Sequence, residues 1–304
     1  MKQLSRKKTI LLLTFLVMVW GVNWPLSKMA LSYSPPILFA GIRTVLGGLI
    51  LLLFAIPRYK KLHFKETWHY YLLSAFLNII LFYGLQTIGL GYAPAGLFSA
   101  IVFIEPVLLG IFCWLWLGEQ MYGLKIFGLI LGFIGILIIS AGGFTGDISP
   151  IGIFLALGSA LAWGLGTVFI KKIGNRVDSI WMVTVQLIMG GFFLMLGGSS
   201  LENWSVIKWE VPFIMNLLFI STFVIAFGWL AFFILVGSGE ASKVGSFTFL
   251  IPLIAIMFSS FLLKEPITLN LIIGLLFVVT SILFVNIKRK SNKNHTLKSV
   301  KNDF

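Results

Sequence analysis

Two opposite charges, Arg43 and Glu105, lie deep inside long apolar stretches of the sequence. A charge near the centre of a bilayer costs about 2.5–3.5 kcal/mol on insertion scales, so each group needs a partner or a cavity. Because arginine keeps its charge, we expect Arg43 to pair with Glu105 or with the carboxylate of a substrate. Two alternatives stay open: a static ion pair, and a protonated Glu105 that is hydrogen-bonded inside a helix bundle.

At a rise of ~1.5 Å per helical residue, the two charges lie at similar depth if both stretches are helical. The sequence therefore predicts one central site that contains Arg43 and Glu105. A substrate carboxylate would displace Glu105 from Arg43 and leave Glu105 free to take a proton or the substrate amine.

Amide, hydroxyl and aromatic side chains occur at comparable depth in other apolar stretches. Amides and hydroxyls orient a ligand, and aromatic rings supply apolar contact. The candidates for such a cavity are Asn23, Trp24, Asn78, Tyr83, Gln86, Trp163, Thr167, Gln186, Trp229 and Thr248. Each of them would also suit helix packing, because polar side chains hydrogen-bond between spans.

Two prolines, Pro106 and Pro252, occur in the middle of apolar stretches. A proline inside a helix removes a hydrogen bond and frees a carbonyl one turn earlier. We expect both to kink their helices, and a freed carbonyl in a broken helix can line a binding site. A kink that serves packing alone is the alternative.

The composition indicates which elements carry these groups. Hydrophobic residues make up 59% of the chain, charged residues make up 11%, and the mean hydropathy is +1.01. Apolar stretches of about 20 residues are long enough to cross a bilayer as helices. The predicted fold is an all-α polytopic membrane protein with ten spans near 9–31, 35–57, 68–90, 94–117, 122–141, 150–172, 178–200, 211–236, 240–263 and 267–287.

Residue types repeat along the chain at a constant offset. Landmarks of the first half recur 146 positions later, from Gly91 and Gly237 to Leu129 and Leu275. Earlier landmarks recur at an offset of 143, which makes Trp20 equivalent to Trp163 and Arg43 equivalent to Gln186. We therefore expect a first five-helix repeat over residues 1–145, a second over 146–287, and a basic tail over 288–304. Because five is odd, the second repeat is inverted in the membrane.

Basic residues outside the spans are distributed unevenly. If the N-terminus is cytoplasmic, only Lys208 and Lys264 fall on the outer side, which agrees with the positive-inside rule. We therefore expect both termini in the cytoplasm and the tail along anionic lipid. A nucleic-acid partner for this tail is disfavoured, because basic ends commonly flank a last span.

The repeated pattern resembles a known family. Each half opens with Trp-Gly, and the pattern Ala-x10-Pro-x12-Glu occurs as Ala95, Pro106 and Glu119 and again as Ala241, Pro252 and Glu265. These features resemble the EamA-type members of the drug/metabolite transporter superfamily. The resemblance implies a bacterial inner-membrane carrier, commonly an exporter of amino acids or related small metabolites, with a central cavity formed by both halves.

Other function classes lack their sequence signatures. The sequence contains no phosphate-binding Gly-x4-Gly-Lys-Ser/Thr loop and no paired groups for intramembrane catalysis, so we expect neither an enzyme nor a cofactor. Its histidines are scattered outside the spans, and no metal site is expected. The alternative to a carrier is a non-transporting sensor or scaffold. The substrate gradient and proton exchange remain open as driving forces, as do a monomer and a homodimer.

Overall fold

The computed structural model describes residues 4–141, 149–239, 241–264 and 269–286. Within these ranges every regular element is helical, which confirms the predicted all-α fold. The α-helices are α1 (Arg6–Ala30), α2 (Pro36–Ala55), α3 (Phe64–Ala75), α4 (Phe82–Gly89), α5 (Ala95–Val102), α6 (Glu105–Leu117), α7 (Gly123–Ala141), α8 (Pro150–Ile173), α9 (Ser179–Leu201), α10 (Val211–Phe219), α11 (Trp229–Ser238), α12 (Ala241–Thr248), α13 (Ile251–Leu263) and α14 (Leu269–Asn286).

These helices form ten spans, because α3 with α4, α5 with α6, α10 with α11 and α12 with α13 continue one another. Among the described residues, 8 helical spans are long and apolar enough to cross a membrane. The fifth and tenth spans, α7 and α14, contain shorter apolar stretches over Gly123–Gly135 and Ile272–Val285. The predicted tail over 288–304 lies outside the described residues.

Equivalent helices of the two repeats run antiparallel, as α2 and α9 illustrate. Gly41, early in α2, packs on Met195, late in α9, whereas Gly48, further along α2, packs on Ile188, earlier in α9. Small residues allow two helices to approach closely in a membrane. Because α2 and α9 are equivalent under the repeat, their opposite directions make the repeats inverted, as the odd number of spans predicted.

A pair of equivalent lysines makes the same contacts in each repeat. The ammonium of Lys28 donates hydrogen bonds to the carbonyls of Leu90 and Ala93, just after α4. Lys171 makes the same two bonds with the carbonyls located 146 positions later, those of Val236 in the last turn of α11 and of Gly239 just after it. These reciprocal contacts define a pseudo-two-fold relation between the repeats, the symmetry of inverted-repeat transport folds.

The fourth and ninth spans are each interrupted immediately before the repeated proline. The first half-helix of the fourth span ends at Val102, and the second begins at Glu105, with Pro106 in its first turn. Pro252 occupies the same place in α13. Proline fits the first turn of a helix because the amide groups there have no intrahelical acceptor. The prolines therefore start new helical segments instead of bending continuous ones.

The third and eighth spans each contain a π-helical segment, Phe76–Leu81 between α3 and α4 and Ile220–Gly228 between α10 and α11. π-helical turns are rare and frequently occur at functional sites. The segments are equivalent in the two repeats, and each leads into a short helix at the centre of the bundle. Hydrophobic periodicity does not distinguish them from α-helix, so the sequence did not predict them.

The repeated glutamate joins the two repeats. The Glu119 carboxylate accepts hydrogen bonds from the backbone amide of Ala241 (2.9 Å) and from the hydroxyl of Ser242, and so caps the start of α12. The ammonium of Lys125 lies 3.4 Å from the same carboxylate. Glu119 of the first copy of the pattern thus contacts Ala241 of the second copy. Glu265 lies outside the described residues.

A second carboxylate caps a helix at the opposite end of the bundle. Glu202, which follows α9, accepts hydrogen bonds from the backbone amides of Ile37 (2.9 Å) and Leu38 (2.8 Å) at the start of α2. The first amides of a helix lack intrahelical partners. Each end of the bundle is therefore held by a carboxylate that one repeat supplies to the other.

Candidate functional site

A cavity lies at the centre of the bundle, where the first, third, fourth, sixth and eighth spans meet. Its empty volume is about 290 Å³, and both repeats contribute to its walls. Most of the lining side chains are aromatic. The lining residues are Trp20, Asn23, Trp24, Phe82, Tyr83, Gln86, Phe103, Trp163 and Val224. The sequence candidates Asn23, Trp24, Tyr83, Gln86 and Trp163 are among them.

The aromatic walls meet at the pseudo-two-fold axis. Trp20 and its equivalent Trp163 pack edge to face, with ring centroids 5.4 Å apart. Phe82 and Phe103 lie 5.3 Å and 5.6 Å from the Trp163 ring. Such contacts hold large rings in defined orientations. The cavity therefore has rigid walls suited to an apolar or flat group.

Polar atoms in the lining lack protein partners. The buried side-chain oxygen of Gln86 and the buried indole nitrogen of Trp163 have no hydrogen-bond partner. The side-chain oxygen of Asn23 already accepts a hydrogen bond from the Ser27 hydroxyl (3.0 Å). An unpaired buried polar group costs about 1–3 kcal/mol. The Gln86 acceptor and the Trp163 donor are therefore among the polar contacts that this cavity offers a ligand.

Arg43 contacts one residue of the cavity wall but does not line the cavity. Its terminal nitrogens donate hydrogen bonds to the hydroxyls of Ser27 in α1 (2.8 Å) and Thr87 in α4 (2.7 Å). The guanidinium carbon lies 4.8 Å from the ring centroids of both Phe39 and Tyr83. The side chain is fully buried. Arg43 therefore links the first, second and third spans, and it lies between α2 and Tyr83.

Glu105 is fully buried at the start of α6, and neither carboxylate oxygen has a hydrogen-bond partner. The expected ion pair between Arg43 and Glu105 is not formed, since the ion pairs among the described residues involve neither side chain. The physical reason is direction: both terminal nitrogens of Arg43 are engaged by hydroxyls of α1 and α4. The two charges therefore do not neutralise each other in this conformation.

The face of α6 that carries Glu105 is defined by its next turn. Leu108 packs against Gly164 of α8, and Leu109 packs against Gly245 of α12. Helical residues three and four apart share a face. Glu105 therefore lies on the side of α6 that faces α8 and α12, whereas Arg43 packs between α1, α2 and α4.

The remaining candidates lie around the cavity without lining it. The indole of Trp229 donates a hydrogen bond to the hydroxyl of its equivalent Tyr83 (2.6 Å). Asn78 donates to Ser74 (3.2 Å), whose hydroxyl donates to Gln186. Thr248 donates to the carbonyl of Gly245, and the buried Thr167 hydroxyl has no hydrogen-bond partner. These side chains support the walls or pair with neighbouring spans.

Four lining residues were not candidates: Trp20, Phe82, Phe103 and Val224. The repeat offers one usable signal, because Trp20 is equivalent to the candidate Trp163. The others are apolar and have no sequence feature that separates them from packing residues. In the described residues, no group of three or more His, Cys, Asp or Glu side chains could hold a metal ion.

A second cavity opens at the end of the bundle where α8 ends and α9 begins, with an empty volume of about 640 Å³. We call it the α8–α9 pocket. The second repeat supplies the whole lining, from α8, α9, α11 and the α8–α9 connection. The lining residues are Ile170, Lys171, Ile173, Gly174, Val177, Ser179, Met182, Phe233, Val236 and Gly237.

The equivalent positions of the first repeat form what we call the α1–α2 region, at the opposite end of the bundle. These positions are Ser27, Lys28, Ala30, Leu31, Ser34, Pro36, Phe39, Thr87, Leu90 and Gly91. Among them, Ser27, Phe39, Thr87 and Leu90 are each 0% exposed. Burial is similar at the two ends, since Met182, Phe233 and Val236 of the pocket are 3%, 3% and 1% exposed. The difference is that an open pocket lies at the α8–α9 end, whereas Ser27, Thr87 and Phe39 pack directly on Arg43 at the α1–α2 end.

The chain resembles known transporters over nearly its whole length. The family model of the EamA-like transporter family matches residues 7–141 and 150–287, one match for each repeat. A Bacillus subtilis (strain 168) protein named uncharacterized transporter YvbV is 66% identical over 293 residues, which cover 96% of each chain. An Escherichia coli (strain K12) protein named probable amino-acid metabolite efflux pump is 26% identical, over 93% of this chain and 96% of its own.

The fold also occurs among solved structures. One crystal structure matches with a TM-score of 0.78 at 15% sequence identity, and the match covers 93% of this chain and 97% of the other. At this identity the likeness concerns the fold alone.

Proposed function

Since the chain belongs to the EamA-like transporter family, we propose that it is a secondary transporter that exports amino acids or related small metabolites by alternating access. Family and relatives indicate a membrane transporter and not an enzyme. The class of substrate is suggested by the relative named as an amino-acid metabolite efflux pump. We further propose a bacterial inner-membrane location with both termini in the cytoplasm, in keeping with the positive-inside distribution.

The observation that carries the mechanism is the difference between the two equivalent end regions. In an inverted-repeat carrier, the two repeats exchange conformations, so that one end opens while the other closes. The α8–α9 pocket is open, and Leu90 and Thr87 of the α1–α2 region are fully buried. With the N-terminus in the cytoplasm, the open end is cytoplasmic. The molecule is then inward-facing, ready to receive a substrate from the cell.

The substrate binds in the central cavity under this proposal. The Trp20 and Trp163 rings contact its apolar part, and the unpartnered oxygen of Gln86 and indole of Trp163 orient its polar groups. A role for Glu105 follows from its unpaired state, because an isolated ionised carboxylate is costly to bury. We propose that Glu105 holds a proton in this state and exchanges it during the transport cycle.

Flux measured with purified protein in proteoliposomes tests the proposal. A panel of labelled amino acids, amines and nucleobases is loaded inside, and efflux is compared with that from protein-free vesicles. We expect saturable efflux of at least one amino acid or related metabolite. A folded protein that moves no member of the panel, with or without a pH gradient, would contradict the proposal and favour a sensor or scaffold.

A further inference from the structure

A polar cluster closes the α1–α2 region, and we propose that it is the gate of that end. The cluster consists of Arg43, Ser27, Thr87, Phe39 and Tyr83, and we call it the Arg43 clasp. Its role is to hold α1, α2 and α4 together while the opposite end is open. This inference rests on the proposed alternating access, but it assigns to Arg43 a positioning role in gating instead of a contact with substrate.

The geometry of the clasp joins separate spans through one side chain. Arg43 extends from α2, and its two terminal nitrogens reach hydroxyls on α1 and α4 at 2.8 Å and 2.7 Å. Phe39 and Tyr83 cover the guanidinium, each with a ring centroid 4.8 Å from its central carbon. The planar fork of arginine suits such a contact, because it donates in two directions and stacks on rings. Separation of α1 or α4 from α2 would break at least one of these contacts.

The second repeat has no such clasp at its own end. Gln186 replaces Arg43, and its side-chain oxygen accepts a hydrogen bond from Ser74 instead. Ile170 and Phe233 stand where the first repeat has Ser27 and Thr87. Both line the open α8–α9 pocket. The guanidinium and its two hydroxyl partners are therefore present at one end only, while Ile170 and Phe233 offer apolar contacts at the equivalent positions of the other end.

The clasp depends on neutral partners, because Arg43 has no carboxylate within ion-pair distance among the described residues. Its Nε is buried and has no hydrogen-bond partner. A buried charge without a counter-ion is costly, so the two hydroxyls and the two rings carry its stabilisation. Opening of the α1–α2 region would return the guanidinium to water. Loss of the hydroxyl partners should therefore shift the equilibrium towards the open state.

Thiol labelling in detergent tests the clasp without any substrate. The reporters are Leu90→Cys in the sealed α1–α2 region and Ile170→Cys in the α8–α9 pocket, on a Cys113→Ser background that removes the single cysteine. The test variant combines Ser27→Ala with Thr87→Val, which removes both hydroxyls and keeps the charge. We expect about tenfold faster maleimide labelling at position 90, within the ~5–150-fold range of typical conformational coupling, and no faster labelling at position 170.

Matched variants separate gating from general loosening. Thr87→Ser keeps a hydroxyl and should label at the parent rate, whereas Arg43→Lys keeps the charge but loses the fork and should label faster at position 90. Ser159→Ala removes another buried hydroxyl between spans, which donates to the carbonyl of Phe82 (3.2 Å), and should leave position 90 protected. Equal acceleration at both reporters, or none at position 90, would overturn the clasp. Because no flux is measured, this outcome is independent of whether the protein transports the proposed substrates.

Discussion

The α1–α2 region and the α8–α9 pocket occupy equivalent positions of the two repeats but differ in chemistry and in openness. The first contains a buried arginine held by hydroxyls and rings, and the second is lined mainly by apolar side chains around an open space. Duplication supplied the same helices and lysine contacts at both ends. Divergence of a few side chains made the ends unequal, which gives each end its own means of closure.

The first prediction concerns which end of the bundle is cytoplasmic. We expect Lys61→Cys on the Cys113→Ser background to resist a membrane-impermeant thiol reagent in intact cells, and Lys208→Cys to react. The physical reason is the retention of basic loops on the cytoplasmic side. The reverse labelling pattern would turn the open α8–α9 pocket outward, and the conformation would be outward-facing.

A second prediction concerns the proton. Glu105→Gln keeps the shape of the buried side chain but cannot release a proton, so we expect transport to lose its response to an imposed pH gradient. Flux in proteoliposomes with and without the gradient measures the effect. Retention of the full response would exclude Glu105 as the proton carrier, even if the variant remains an active transporter.

A third prediction compares the carboxylates that cap helices at the two ends. Glu119→Ala removes the cap of α12 and leaves Lys125, which is 1% exposed, without its ion-pair partner. We expect a loss of about 3–5 kcal/mol in the free energy of unfolding, the usual cost of breaking a buried pair. Glu202→Ala removes only the cap of α2 and should cost about 1 kcal/mol.

Chemical denaturation in detergent, followed by tryptophan fluorescence, provides the measurement for both caps. Glu119→Gln is the control, because its amide oxygen can still accept from the α12 amide while the charge is lost. Equal losses for Glu119→Ala and Glu202→Ala would mean that Lys125 contributes nothing and that the two ends are equally held.

The smallest expected effect distinguishes the two tryptophans at the pseudo-two-fold axis. The Trp163 indole nitrogen has no protein partner, so Trp163→Phe should weaken substrate affinity by about fivefold, the value of one hydrogen bond of ~1 kcal/mol. The Trp20 indole donates to the Val224 carbonyl (3.2 Å), so Trp20→Phe should lower stability instead. Concentration dependence of flux and thermal unfolding separate the two outcomes. Identical changes in KM for both variants would remove the distinction.

The repeat pattern made most of the fold predictable. Ten apolar stretches at helix-spanning length and two constant offsets led to inverted repeats, and the antiparallel packing of Gly41 and Gly48 of α2 on α9 agrees with them. The π-helical segments at Phe76–Leu81 and Ile220–Gly228 were not predictable, because their hydrophobic pattern is also that of an α-helix. The prediction that Arg43 pairs with Glu105 was wrong, because the depth of a residue in the membrane does not specify the direction in which its side chain points from the helix axis.

The sequence by itself determined that the protein lies in a lipid bilayer, and it determined the number of spans, the internal repeat and the depth of each charge. These properties follow from composition and periodicity, which act locally along the chain. Tertiary structure alone decided which side chains share a cavity, that Ser27 and Thr87 engage Arg43, and that one of two equivalent ends is open. Those outcomes depend on how each helix rotates and packs against its neighbours, and a nearly uniform apolar sequence leaves that rotation unspecified.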